Sequence, residues 1–153
     1  MNALFSFPPE AVASASADTK GEVLSLLADH FARIYDLDAG GVLDALEERE
    51  KLGSTGFGRG VAIPHARLDT ISRPLAVLLR LDAACDFAAA DGMPVDLVFG
   101  LLSPSNAGAT HLHALAAISR LVRDEESHRL LTEAPDAEAL YALITNAADR
   151  DAA

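Results

Sequence analysis

The run PVDLVFGLL at residues 94–102, led by a proline and almost unbroken in its apolar character, reads as a strand buried on both faces. PLAVLLRL at 74–81 reads the same way, and Val61–Ile63, ended by Pro64, adds a third and shorter strand. A sheet covered on both faces needs helices on both, and the flanking sequence supplies them. Thr19 and Glu22 form a capping box ahead of Val23, Leu27, Phe31 and Ile34 at helical spacing, which predicts a helix through about Tyr35. Asp38 caps a second helix with Val42, Leu43 and Leu46 inward and the EEREK run at 47–51 facing water, ending before Gly53.

Beyond the last long strand, SPSNAGAT at 103–110 leads into a helix capped by Thr110, whose packed face is Leu112, Leu115, Ala116, Ser119 and Val122. A short helix over Ser127–Leu131 and a last one from about Asp136 to Ala148, packing through Leu140, Tyr141 and Ile144, complete the pattern. Residues 1–18 read as irregular with one short strand near Val12–Ala15, and 82–93 as a turn-rich connection with a very short strand near Phe87. The fold class is α/β: an internal sheet flanked by helices.

At 153 residues the chain is one domain, 1–153, with flexible ends expected at 1–8 and 149–153. Its 23 acidic residues against 12 basic ones give a net charge of -11, which opposes the basic footprint that nucleic acid requires. A single cysteine, Cys85, excludes an intrachain disulfide framework and leans towards a reducing compartment. There is no signal-peptide pattern and no run long enough for a membrane span, so a cytoplasmic protein without membrane insertion is expected.

The segment GSTGFGRGVAIPHAR at 53–67 carries the sharpest chemical signal: a permissive glycine loop, a short strand, and a histidine behind a proline. Neutral imidazole can attack a phosphoryl donor near pH 7, which makes His65 a candidate nucleophile. From this segment alone, a strand-ending proline beside a packing histidine accounts for the residues equally well. His111, near a helix start, reads equally well as a donor to a phosphoryl oxygen beside His65 and as an ordinary structural histidine, whereas His113 reads as a surface or packing residue. Arg49 offers a cationic fork before the glycine loop, with a helix-end salt bridge as its other explanation; Arg59 and Arg67 suit the rim of a partner surface. Ser54 and Thr55 carry hydroxyls that serve either phosphate or the turn itself. The loop lacks a P-loop lysine and a dinucleotide fingerprint, and the histidine spacing selects no metal, so no cofactor is expected.

Taken together, REKLGSTGFGRGVAIPHARL at 49–68, PVDLVFGLLSP at 94–104, THLHALAAISRLV at 110–122 and EALYALI at 138–144 resemble the fructose/mannitol-type IIA domain of the bacterial phosphotransferase system. The likeness runs nearly the length of the chain and is strongest to the nitrogen-regulatory branch. It implies a mixed central sheet, and a phosphocarrier without small-molecule turnover, in which His65 accepts a phosphoryl group from an HPr-like protein. It further implies that His111 stabilises the transferred group, that Arg49 contacts its oxygens, and that Thr55 contributes a hydrogen bond. The implied outputs are regulated target proteins of unknown identity. The alternatives are a sugar-transport component passing phosphate to a IIB acceptor, and a regulatory binding protein that is not phosphorylated. Relatives often carry glycine where this chain has Ala66, a change that an ordinary backbone angle tolerates and a left-handed one penalises.

Overall fold

The computed structural model describes residues 4–152, with side chains described for 4–147. A six-stranded mixed sheet lies between helices, as expected. In chain order, β1 (Val12–Ala15) follows a 3-10 turn at Pro9–Ala11, and α1 (Lys20–Tyr35) and α2 (Ala39–Lys51) lead to β2 (Gly56–Gly58), β3 (Val61–Ala62) and β4 (His65–Leu68). The long strands β5 (Leu75–Cys85) and β6 (Val95–Pro104) come next, followed by α3 (Gly108–Val122), α4 (Glu125–Glu133) and α5 (Ala137–Ala152). The sheet order is β1-β5-β6-β3-β2, with β4 also on β6. The β5–β6 and β2–β3 pairs are antiparallel; β1 on β5, and both β3 and β4 on β6, are parallel.

Two of the three predicted caps form: the Thr19 hydroxyl accepts from the Glu22 amide at 3.2 Å, and the Asp38 carboxylate from the Gly41 amide at 2.9 Å. Side chains alternate across β6, so Gly100 meets α1 while Phe99 meets the opposite layer. A Cβ on Gly100 would stand 2.8 Å from Phe31 Cε2, a close approach that only a bare α-carbon allows. On the other face Phe99 stacks on Phe7 at 5.5 Å between ring centroids, and Phe7 stacks on Tyr141 of α5 at the same distance.

Several expectations change. The short strand stops before Pro64, as expected, but pairing with β6 resumes beyond it. Val61 and Ala62 pair with Leu97 and Val98, and after the interruption at Ile63–Pro64 the chain resumes beside β6 with His65 opposite Leu101. Proline lacks an N–H but keeps its carbonyl, and Pro64 O accepts from the Leu101 amide at 3.0 Å, so the run continues alongside β6. His65 is therefore a strand residue rather than a loop residue. A hairpin partner for β3, at Gly56–Gly58, stands within the glycine loop; Gly60, at φ +84, makes the turn, and a Cβ there would sit 2.7 Å from His128 Nε2. β5 runs on to Cys85, and Phe87 is buried without belonging to a strand.

Thr110 does not cap α3, which begins two residues earlier behind Ala107 with no side-chain cap. The face of α3 is also rotated: His111, Ala114, Ala117, Ile118, Leu121 and Val122 are buried, while Leu112 is 62% exposed. α4 is longer than expected because Asp124 caps it, accepting from the Ser127 amide. The start of the chain is better anchored than expected, since Phe5 and Phe7 are core residues. Of the ends expected to be flexible, residues 1–3 and 153 and the side chains of 149–152 lie outside the described residues.

Candidate functional site

The period of two along β4 directs His65 and Arg67 to one face and buries Ala66 on the other. Ala66 has no positive φ, so its methyl group meets no backbone strain there. The last turn of α2 brings Arg49 over the start of β4, and the first turn of α3 brings His111 beside the same residue, His65. Together with Ala45, Leu52, Leu112 and Leu115 these residues line an open cleft of about 570 Å³.

His65 is half-buried. Its Nδ1 lies 2.8 Å from the Ile63 carbonyl oxygen, which can only accept, so Nδ1 carries the proton and the lone pair resides on Nε2. Arg49 agrees from the other side: its Nε–H donates to His65 Nε2 at 3.2 Å, while its Nη1 donates to Gly53 O at 2.9 Å. Burial lowers the His65 pKa below the ordinary imidazole value, the Ile63 carbonyl partly opposes this, and the Arg49 charge reinforces it. The resting state is a neutral imidazole whose Nε2 lone pair accepts from the Arg49 guanidinium.

The His111 ring lies 5.5 Å from that of His65, centroid to centroid. His111 is 5% exposed, and its Nδ1 is 2.6 Å from the Ser103 hydroxyl on β6. Burial, helped by His65 and Arg67, lowers its pKa to about 4, so it too is neutral near pH 7. His113 is exposed on the far side of the same helix turn.

Arg49, His65 and His111 thus converge. Thr55 lines an adjoining hollow of about 380 Å³ with His65, but its hydroxyl donates to the Glu50 carboxylate and its amide reaches Glu50 at 3.1 Å. Glu50 also pairs with Lys20 at 2.6 Å and its side chain is 6% exposed, so the EEREK run does not uniformly face water: Glu50 ties α2 to the loop and Arg49 turns into the cleft. The Ser54 hydroxyl donates to Phe87 O at 2.6 Å and accepts from the Gly56 amide, which holds the turn. Arg59, with φ +56, has its amide bound to Asp91 and lies away from the cleft; His128 pairs with Asp96 at 2.7 Å. Neither Glu50 nor Ser103 stands out in the sequence as a site residue, since one sits in a charge run and the other in a Ser-Pro-Ser turn.

A neutral imidazole nitrogen, flanked by a guanidinium and a second neutral imidazole in an open cleft, is suited to accepting an anionic group. Among the described residues no group of three or more His, Cys, Asp or Glu side chains is arranged to hold a metal, and no helix is long and apolar enough to cross a membrane.

The family described as the phosphoenolpyruvate-dependent sugar phosphotransferase system, EIIA 2, matches residues 7–147, and the chain belongs to it. Its likeness runs to the nitrogen-regulatory type. A nitrogen regulatory protein of Bradyrhizobium diazoefficiens is 43% identical over 137 residues, covering 89% of this chain and 90% of that protein. Another from Pseudomonas aeruginosa is 41% identical over 140 residues, 91% of each. The crystal structure of nitrogen regulatory protein IIA-Ntr from Neisseria meningitidis superposes with a TM-score of 0.84 at 31% identity, covering 90% of this chain and 94% of that one.

Proposed function

We propose that this EIIA-type protein is a nitrogen-regulatory phosphocarrier whose His65 Nε2 accepts a phosphoryl group from an HPr-like protein. The observation that carries the reading is the fixed state of His65: Nδ1–H held on the Ile63 carbonyl, and the Nε2 lone pair turned to the cleft beside Arg49. In the transfer, the lone pair on Nε2 forms the new N–P bond as the donor's N–P bond breaks, its electron pair returning to the donor imidazole. No proton has to leave the nucleophile, because Nδ1–H stays on its carbonyl. Arg49 exchanges its hydrogen bond with Nε2 for one to a phosphoryl oxygen, and His111 meets another oxygen. Thr55 supports the site through Glu50, which fixes the loop following α2. The donor docks over an apolar rim, since Leu52 and Leu112 stand 83% and 62% exposed beside the cleft. The added phosphate charge in turn alters which target proteins the -11 chain binds.

The test is reconstituted transfer from phosphoenolpyruvate through enzyme I and an HPr-like carrier, with the modified residue mapped, in the presence and absence of a IIB acceptor. Acid-labile phosphate on His65, lost in His65→Ala without unfolding, is the expected result. His111→Ala lowers acceptance while His113→Ala leaves it intact. Rapid onward transfer to IIB would assign the chain to sugar transport instead, and a folded wild-type protein that takes up no phosphate would leave a binding role.

A further inference from the structure

The cleft holds two neutral imidazoles 5.5 Å apart, and their chemistry differs according to which nitrogen carries the proton. For His65 a carbonyl decides. For His111 the partner is a hydroxyl, which can donate or accept, so the surroundings of that hydroxyl decide. Ser103 is fully buried on β6, and among the described residues its hydroxyl has one partner, His111 Nδ1 at 2.6 Å. If Nδ1 carried the proton, the Ser103 hydroxyl would accept it and its own proton would be left in the core without an acceptor. With the proton on Nε2, the Ser103 hydroxyl donates to the Nδ1 lone pair and every group is satisfied.

The Nε2 side of His111 is consistent with this. Among the described residues the sole buried side-chain nitrogen or oxygen without a partner is His30 Nε2, so His111 Nε2, which has no protein partner, opens onto the cleft. An N–H at that position faces the ground where the phosphoryl oxygens would lie.

We propose that Ser103 is a positioning residue: by donating to His111 Nδ1 it holds His111 as the Nε2–H tautomer, a donor set opposite the Nε2 lone pair of His65. The two imidazoles are then locked in opposite tautomers, one as nucleophile and one as hydrogen-bond donor, by the Ile63 carbonyl just before β4 and the Ser103 hydroxyl on the adjacent strand β6. The mechanistic value of this lock rests on the phosphocarrier reading; the tautomer itself does not.

The decisive measurement is ¹⁵N NMR of the histidine rings in the resting wild-type protein near neutral pH, assigned with His111→Gln. The expected spectrum has His111 protonated on Nε2 and His65 protonated on Nδ1. A His111 protonated on Nδ1 overturns the proposal, and it does so without any phosphoryl donor, so a failure of the phosphocarrier reading is scored separately by whether wild-type His65 becomes phosphorylated. In Ser103→Ala the His111 signal shifts towards the Nδ1–H form, and phosphoryl acceptance slows about ten- to a hundredfold, as expected for one lost hydrogen bond to a charged oxygen. Ser103→Thr retains the hydroxyl and restores the wild-type tautomer. In a His111→Ala background, Ser103→Ala causes no further slowing; an undiminished effect there shows that Ser103 acts independently of His111 and defeats the assignment.

Discussion

Thr55 and Arg49 stand at the two ends of one short turn and direct their hydrogen bonds oppositely, Arg49 to His65 and Thr55 to the buried carboxylate of Glu50. Thr55→Val, which keeps the shape and removes the hydroxyl, is expected to lower stability by about 1–3 kcal/mol in urea titration while the folded protein still phosphorylates His65. Unchanged stability with lost acceptance would place the hydroxyl on the phosphoryl group instead. Individual site residues are legible to the extent that their chemistry is intrinsic. An imidazole behind a glycine loop, a second imidazole at a helix start and an arginine at a helix end declare themselves by type. Ser103 and Glu50 do not, because their importance comes from single partners, His111 and the Thr55 loop, brought to them by folding.

Among the elements, those with strong periodicity and a cap were readable: α1 and α2 begin where Thr19 and Asp38 place them. The errors fall around the cleft. β4 was hidden because proline usually marks the end of a strand, whereas here its carbonyl carries the ladder across the gap. The face of α3 was misread because Leu112 and Leu115, which a pattern argument assigns to the core, line the open cleft instead. Apolar patterning registers what avoids water and does not distinguish a core from the rim of an open cleft. Where α1 crosses β6 the packing is fixed by Gly100, whose Cβ would lie 2.8 Å from Phe31 and 2.9 Å from both terminal carbons of Leu27. Gly100→Ala is expected to destabilise the fold by about 1–3 kcal/mol through overpacking, seen as a lower urea midpoint at unchanged slope. Wild-type stability would mean that α1 can lift away from the sheet without loss.

At the scale of the whole molecule, the cleft that keeps its histidines neutral also makes folding sensitive to acid. His30, His65 and His111 all have folded pKa values below the ordinary imidazole value, chiefly through burial, with His111 at about 4. The unfolded chain, whose histidines titrate near 6.5, therefore binds protons first, and stability rises with pH between about 4 and 6.5 and is level above that window. The carboxylates of Asp91, Asp124 and Glu126 are shifted down by their hydrogen bonds, so their contribution is lost at lower pH still, once the unfolded carboxylates begin to protonate. Urea titrations from pH 7 downward should thus show a first loss between pH 6.5 and 4, in which His111 accounts for on the order of 3 kcal/mol, followed by a second below it. His111→Gln, which cannot be protonated, should remove its share of the first phase, leaving that of His30 and His65, and leave the second. A wild-type stability unchanged from pH 7 to 5 would mean that the cleft accommodates imidazolium, and that neutrality is not what prepares His65 and His111 to receive an anion.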